Sequence, residues 1–128
     1  MNATAPHDPS GLRGADLQAM RSQARLVMVL DATGDLPEAP ALDTMAEVLR
    51  GMIELLVPKV EDAAVLLPEY DVPRACALAC VGEARMRLRM GAGDSERVRQ
   101  SVVVKLARSL NALCDHHKAL GGAGARTE

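Results

Sequence analysis

The densest run of potential ligands and nucleophiles in the chain is Cys114-Asp115-His116-His117, and Cys76 and Cys80 form a second cluster upstream. Residues four apart, such as Cys76 and Cys80, share a helix face, as do Cys114 and His117, three apart. An antiparallel helix pair would bring the two clusters to one end, where thiolate and imidazole donors can hold zinc. The spacing speaks against it: CxxxC is not a zinc-knuckle spacing, and no second CxxC exists. Small cysteines are common filling in Ala-rich cores, which accounts for the thiols without a metal. His116 and His117 near a helix C-terminus complement its dipole when protonated.

Other catalytic constellations are incomplete. A di-iron centre in a helical bundle needs Glu-x-x-His motifs, and the chain has none; Glu54 and Glu83 without paired histidines read as solvated or ion-paired. GxSxG, GxxxxGK[ST] and GxGxxG are missing. No cofactor is therefore expected, and the sequence leans away from an enzyme. The polar residues least explained by packing are Glu83, Arg85, Asn111 and Asp115; with Cys114 and His116 they form a candidate binding set between helices. Arg85, Arg89, Arg97 and Arg99 crowd the Gly91-Ala92-Gly93 turn and form a candidate anion-binding tip. Helix, short glycine turn and helix superficially match a DNA-reading motif. Asp94 and Glu96 would sit at the end entering the groove, which argues against nucleic acid.

Charge sharpens this picture. The 128 residues carry a formal net charge of −2, which implies no general affinity for DNA or an anionic membrane. Residues 1–71 hold 12 acidic and 5 basic side chains, a balance of −7, whereas residues 72–128 hold 5 and 10, a balance of +5. Acidic and basic helices complementing one another in a bundle explain that segregation; an Arg-rich anion-recognising end is the sharper alternative. Tyr70 is the only aromatic residue, so no stacking platform for single-stranded nucleic acid exists. No basic-then-apolar leader opens the chain and no apolar run reaches about 18 residues. With an odd number of cysteines, reduced thiols and a cytoplasmic location are expected.

The elements that must position these residues are helices. With 48% hydrophobic residues and no Phe or Trp, the core must be Leu, Val, Met and Ala. Residues 1–12, with two prolines and little to bury, read as a flexible tail. A first helix is expected from Gly14 to Ala32, with Leu17, Met20, Ala24, Val27 and Met28 at helical spacing. Gly34 ends it, and Leu36 to Pro40 reads as a non-helical connector. Leu42, Met45, Leu49, Met52, Leu56, Val60, Ala63 and Leu67 form a bundle seam in the second helix, where Pro58 should impose a kink. Asp71 and Pro73 start a third helix ending near Met90, and Asp94 or Ser95 caps a fourth. Its inner face is Val98, Val102, Leu106, Leu110, Leu113 and His117; it should fade at Gly121-Gly122, leaving 121–128 as a second flexible tail. The fold expected over 13–120 is an all-α antiparallel four-helix bundle.

More apolar surface is present than one bundle needs. Leu26 to Leu30, Leu55 to Val57 and Val102 to Val104 are apolar around the whole helix, which implies either unusual enclosure or a partner. Symmetric homodimers are the commonest oligomers, so a homodimer is expected, with a protein partner or a small-molecule ligand as further possibilities.

The stretches LLVPKVEDAAVLLPEYDVPRACALACVGEARMRL (Leu55–Leu88) and LARSLNALCDHHKAL (Leu106–Leu120) resemble a family of small uncharacterised actinobacterial, Streptomyces-type proteins labelled as natural-product biosynthesis proteins. The resemblance is carried by Pro73, Arg74, Cys76, Cys80, Glu83, Arg85, Asn111, Cys114, Asp115 and His116, and covers about half the chain. It implies a link to specialised metabolism and brings no reaction or catalytic residue. The residues themselves point to a non-catalytic accessory or regulatory protein acting through protein–protein contacts. A small-molecule-binding protein or enzyme of natural-product biosynthesis, with an inter-helical pocket, is the alternative; a DNA-binding regulator using the arginine tip is third.

Overall fold

The computed structural model describes residues 12–126, with side chains through residue 121. It contains four helices, α1 (Gly14–Thr33), α2 (Ala39–Val65), α3 (Val72–Leu88) and α4 (Glu96–Arg126), and no strand among the described residues. This is the expected four-helix bundle, but its helices contribute unequally. The central element is α4, which packs against all three others. Its broadest seam is with α2, while α1 touches α2 only slightly and α3 not at all.

The seams follow from the apolar periodicity. Leu106, Leu110 and Leu113 of α4 and Leu42, Leu49, Ile53, Leu56 and Val60 of α2 are fully buried, and α3 adds Ala77, Val81 and Ala84. Burying one such Leu or Ile side chain stabilises the fold by roughly 1.5–3 kcal/mol. The buried stripe of α2 lies to one side of the expected one: Ile53, Val57 and Ala64 are inside, whereas Met45, Met52, Ala63 and Leu67 are only half-buried. From α1, Met20, Ala24 and Val27 reach the core. Leu12, assigned above to the tail, is also buried against it.

Local chemistry sets the helix ends. Gly34 at φ 77° closes α1, with its N–H bonded to the Asp31 carbonyl and the Asp35 N–H bonded to the Leu30 carbonyl, the paired bonds of a Schellman turn. Pro40, expected in the connector, lies in the first turn of α2 instead, where its missing N–H is no loss. Pro58 stands inside α2; lacking an N–H, it leaves the carbonyl four residues back, at Glu54, without its helical donor, and both residues are exposed, so water can reach that group. Asp71 occupies the cap position of α3 without a side-chain cap bond. Ser95 does cap α4, its Oγ accepting the Val98 N–H at 3.2 Å. The helix then continues past Gly121-Gly122 to Arg126, beyond the expected fade: each glycine costs about 1 kcal/mol of helix propensity, which lowers helicity without blocking the backbone ladder. Expectations for residues 1–11 and 127–128 lie outside the described residues.

The three all-round apolar runs diverge. Val102, Val103 and Val104 are all buried, because α4 has a neighbour on most of its circumference. In α1, by contrast, Leu26 and Val29 are exposed, as is Leu55 in α2.

Candidate functional site

The candidate residues of α4 meet at a residue absent from the expected set. Arg21 of α1 donates from Nη1 to the Asn111 Oδ1 at 3.1 Å and pairs with the Asp115 carboxylate at 2.8 Å. Asn111 and Asp115 are one turn apart on α4, so a single guanidinium spans both and fastens α1. Arg21 is only 21% exposed whereas Asp115 is 63% exposed, so the pair works as a half-buried clamp rather than as a sealed ionic site. Beside it lies an open groove of about 360 Å³ lined by Gly14, Leu17, Gln18, Arg21, Cys114 and Lys118. The first helix gave a sequence reader nothing to single out Arg21, since only the tertiary fold places it over Asn111.

The thiols have different surroundings. Cys114 is buried, Cys80 is half-buried, and Cys76 is exposed rather than a core residue. The inward phase of α3 is Ala77, Val81 and Ala84, which turns Cys76 outward. Burial pushes the Cys80 thiol up to about 11, with the nearby Glu83 and Asp115 carboxylates adding to the effect. Burial also raises Cys114, opposed by the charge of Arg21 and helped by Asp115. Both groups are therefore protonated and poorly nucleophilic near neutrality. No group of three or more His, Cys, Asp and Glu side chains among the described residues is placed to hold a metal ion.

Glu83 and Arg85 do not join Asn111 and Asp115. Glu83 pairs with Arg87 one turn on, at 3.3 Å. Arg85 makes a two-pronged bond to Glu61 of α2, at 2.8 and 3.0 Å. Those hydrogen bonds hold the Glu61 carboxyl below its usual range, against a smaller opposing effect of burial. His116 is half-buried on α4.

The arginines around the α3–α4 connector are also divided. Arg85 is committed to Glu61, and the Arg99 Nε bonds the Gly93 carbonyl at 3.4 Å. Arg50 of α2 reaches the same connector, donating to the Leu88 and Met90 carbonyls at 3.1 and 3.0 Å. At the opposite end, Arg74 donates to the Leu67 carbonyl at 3.0 Å. Bonds of this kind satisfy carbonyls left open at helix ends. Arg89 is exposed, while Arg97 lies on α4 beside Ser101 and Lys105, facing grooves on either side. Of the four arginines expected to form one anion-binding tip, Arg85 and Arg99 are thus engaged by Glu61 and by the Gly93 carbonyl.

A family model described as a family of unknown function, DUF6415, matches residues 18–122. The chain belongs to the DUF6415 family. No curated protein sequence and no solved structure matches it significantly. The DUF6415 match begins in α1, well before the stretch that carried the resemblance noted above. It thus takes in Arg21 with both of its acceptors. No helix among the described residues is long and apolar enough to cross a membrane.

Proposed function

We propose that this DUF6415 protein is a non-catalytic helical accessory protein that works through protein–protein contacts as a homodimer, in the cytoplasm and in the service of specialised metabolism. The observation that carries the reading is the apolar end formed by the α2–α3 connector. Leu66 is 85% exposed, Tyr70 93% and Val72 70%. Single exposed apolar residues need no explanation, but a group of large ones at one end of a bundle marks a contact surface. The expected occupant is the same connector of a second copy: a twofold contact pairs a patch with itself and covers all of these residues at once. The unpaired thiols suit a reducing compartment, and the resemblance to natural-product biosynthesis proteins supplies the metabolic context. The alternative of a small-molecule pocket has the groove beside Arg21 in its favour, but that groove is open and its guanidinium is already engaged by Asn111 and Asp115.

Light scattering across a concentration series tests the reading. A dimer that becomes monomeric in the Leu66→Asp/Tyr70→Asp variant, with helicity unchanged, supports it. A monomer at every concentration sinks it, as does a dimer indifferent to both substitutions.

A further inference from the structure

Most of the arginines described above are consumed by the fold. Three cations along one side of α4 are not. Arg97, Lys105 and Arg108 are exposed, and no described carboxylate lies within ion-pair distance of any of them. Lys105 and Arg108 follow Arg97 by roughly two and three helical turns, so the three share the outer side of α4 over about 16 Å. They rim two adjoining grooves. One, of about 330 Å³, runs along Gln100, Val104 and Arg108 towards Asp31 of α1. The other, of about 650 Å³, has an apolar bed of Met90, Val98 and Val102 beside the glycine connector. Arg97, Ser101 and Lys105 line both. Val98, expected in the core, is 43% exposed here.

We infer that this outer face of α4 is a docking groove for an acidic amphipathic helix of a partner protein. The proposal rests on the protein-contact reading but uses a different surface from the dimer end. An apolar bed edged by unpartnered cations matches a helix whose leucines seat at three- and four-residue spacing with glutamates along one flank. The length favours a helix over an isolated phosphate, because Arg97 and Lys105, about 12 Å apart along the helix axis, are too far apart to close on one small anion. A nucleotide base would find no aromatic face: Tyr70, the single aromatic residue, lies in the other connector. Duplex DNA would meet the exposed Asp94 and Glu96 at the start of α4. Asp31 lines the smaller groove with Arg108, so the incoming helix lies on the Met90–Val98 side and turns its glutamates to Arg97 and Lys105, which line both grooves.

The test is fluorescence anisotropy at low salt on full-length protein. The probe is a labelled, end-blocked peptide of roughly five turns, with leucine at three- and four-residue spacing and glutamate beside each leucine. The wild type should bind it, and less tightly as salt is raised. Arg97→Glu/Lys105→Glu should weaken binding by about tenfold or more, while Arg25→Glu, an exposed charge on α1, should not. A peptide with lysine in place of glutamate should bind the charge-reversed variant better than the wild type. No binding by the wild type at millimolar protein, or equal binding of the two peptides, overturns the proposal. Displacement of the peptide by inorganic pyrophosphate at stoichiometric concentration, or by duplex DNA, overturns it in favour of a small anion or nucleic acid. Light scattering on the same samples separates the two readings: a dimer that ignores the peptide removes the groove alone, and a monomer that binds it removes the dimer alone.

Discussion

The two sides of α4 are held by different physics. Its broadest seam is with α2, and the fully buried Leu106, Leu110 and Leu113 are the leucines it brings to the core. Towards α1 it meets a helix that packs on almost nothing else, through an interface in which Met20, Ala24 and Val27 supply the buried contacts and Arg21 supplies a polar clamp. Apolar area sets how much a seam stabilises, whereas a polar clamp sets where an element sits and contributes little net free energy. Because α2, α3 and α4 each pack on the other two whereas α1 rests almost wholly on α4, α1 is expected to be the more adjustable element. The side with most stability to lose gives the largest expected effect: Leu110→Ala leaves a cavity amid the deepest packing and should cost about 3 kcal/mol or more, read as a shift in urea midpoint with little change in slope. An Arg21→Ala change that proved equally costly would erase the distinction.

Gly93 extends the same test to the connector. Its φ of 97° is strained for any other residue, and an added Cβ would lie 2.6 Å from the Val98 Cγ1. Gly93→Ala should therefore cost about 2 kcal/mol or more, from backbone strain and overpacking together. The loss should fall on the α3–α4 hairpin, visible as reduced amide protection around residues 88–99 with α1 protection unchanged.

The same contrast separates what was readable in the sequence from what was not. Periodicity placed the four helices, because burial of Leu and Val repeats at helical spacing whatever the neighbour. It could not rank the interfaces: Val102 to Val104 and Leu26 to Leu30 look alike as strings, yet the first run is enclosed and the second leaves Leu26 and Val29 exposed. The candidate site divides in the same way. Asn111 and Asp115 stood out as polar residues on an apolar helix, but their partner Arg21 lies 90 residues from Asn111 and no spacing rule connects them. The arginine tip is a related case. Composition counts cations, whereas Arg85 and Arg99 are tied to Glu61 and to a connector carbonyl, and only the fold shows that Arg97, Lys105 and Arg108 remain uncommitted.

Smaller effects follow at the clamp. Arg21→Ala should cost about 1 kcal/mol, since Asp115 is largely hydrated with or without its partner. The more telling readout is local. Cys114 lies in the groove beside Arg21, so loosening α1 should raise its alkylation rate roughly fivefold, the factor that corresponds to about 1 kcal/mol. Cys80, at the α3 side, should keep its wild-type rate. Exposed Cys76 should react first in both proteins, and equal rates at all three thiols would contradict the burial assigned to Cys80 and Cys114. The Cys80 thiol also predicts alkaline sensitivity. Its folded value near 11 exceeds the ordinary 9.0, so the folded state holds its proton more tightly. Stability should therefore decline as pH rises from about 9 towards 11, and Cys80→Ser should flatten that part of the profile.

The smallest effect expected is at the Glu61–Arg85 bridge, which joins α2 to α3 outside the core. Two hydrogen bonds from Arg85 favour the ionised carboxylate, so the folded value lies below the ordinary 4.5. With a depressed value in the folded state, the stabilisation is present above the unfolded pKa and is lost as pH falls through the folded one. Both partners are solvent-accessible, and salt should screen the charge attraction between them. Carboxyl NMR should find Glu61 titrating below the ordinary range in the wild type and returning towards it in Arg85→Gln, with the urea midpoint near neutrality almost unchanged. A normal Glu61 titration in the wild type would mean that the bridge is not held in solution. The α2–α3 seam would then rest on its buried apolar residues and on the bonds from Arg50 and Arg74 to the Leu88, Met90 and Leu67 carbonyls, and the Arg21–Asp115 contact would be left as the ion pair that fixes one helix against another among the described residues.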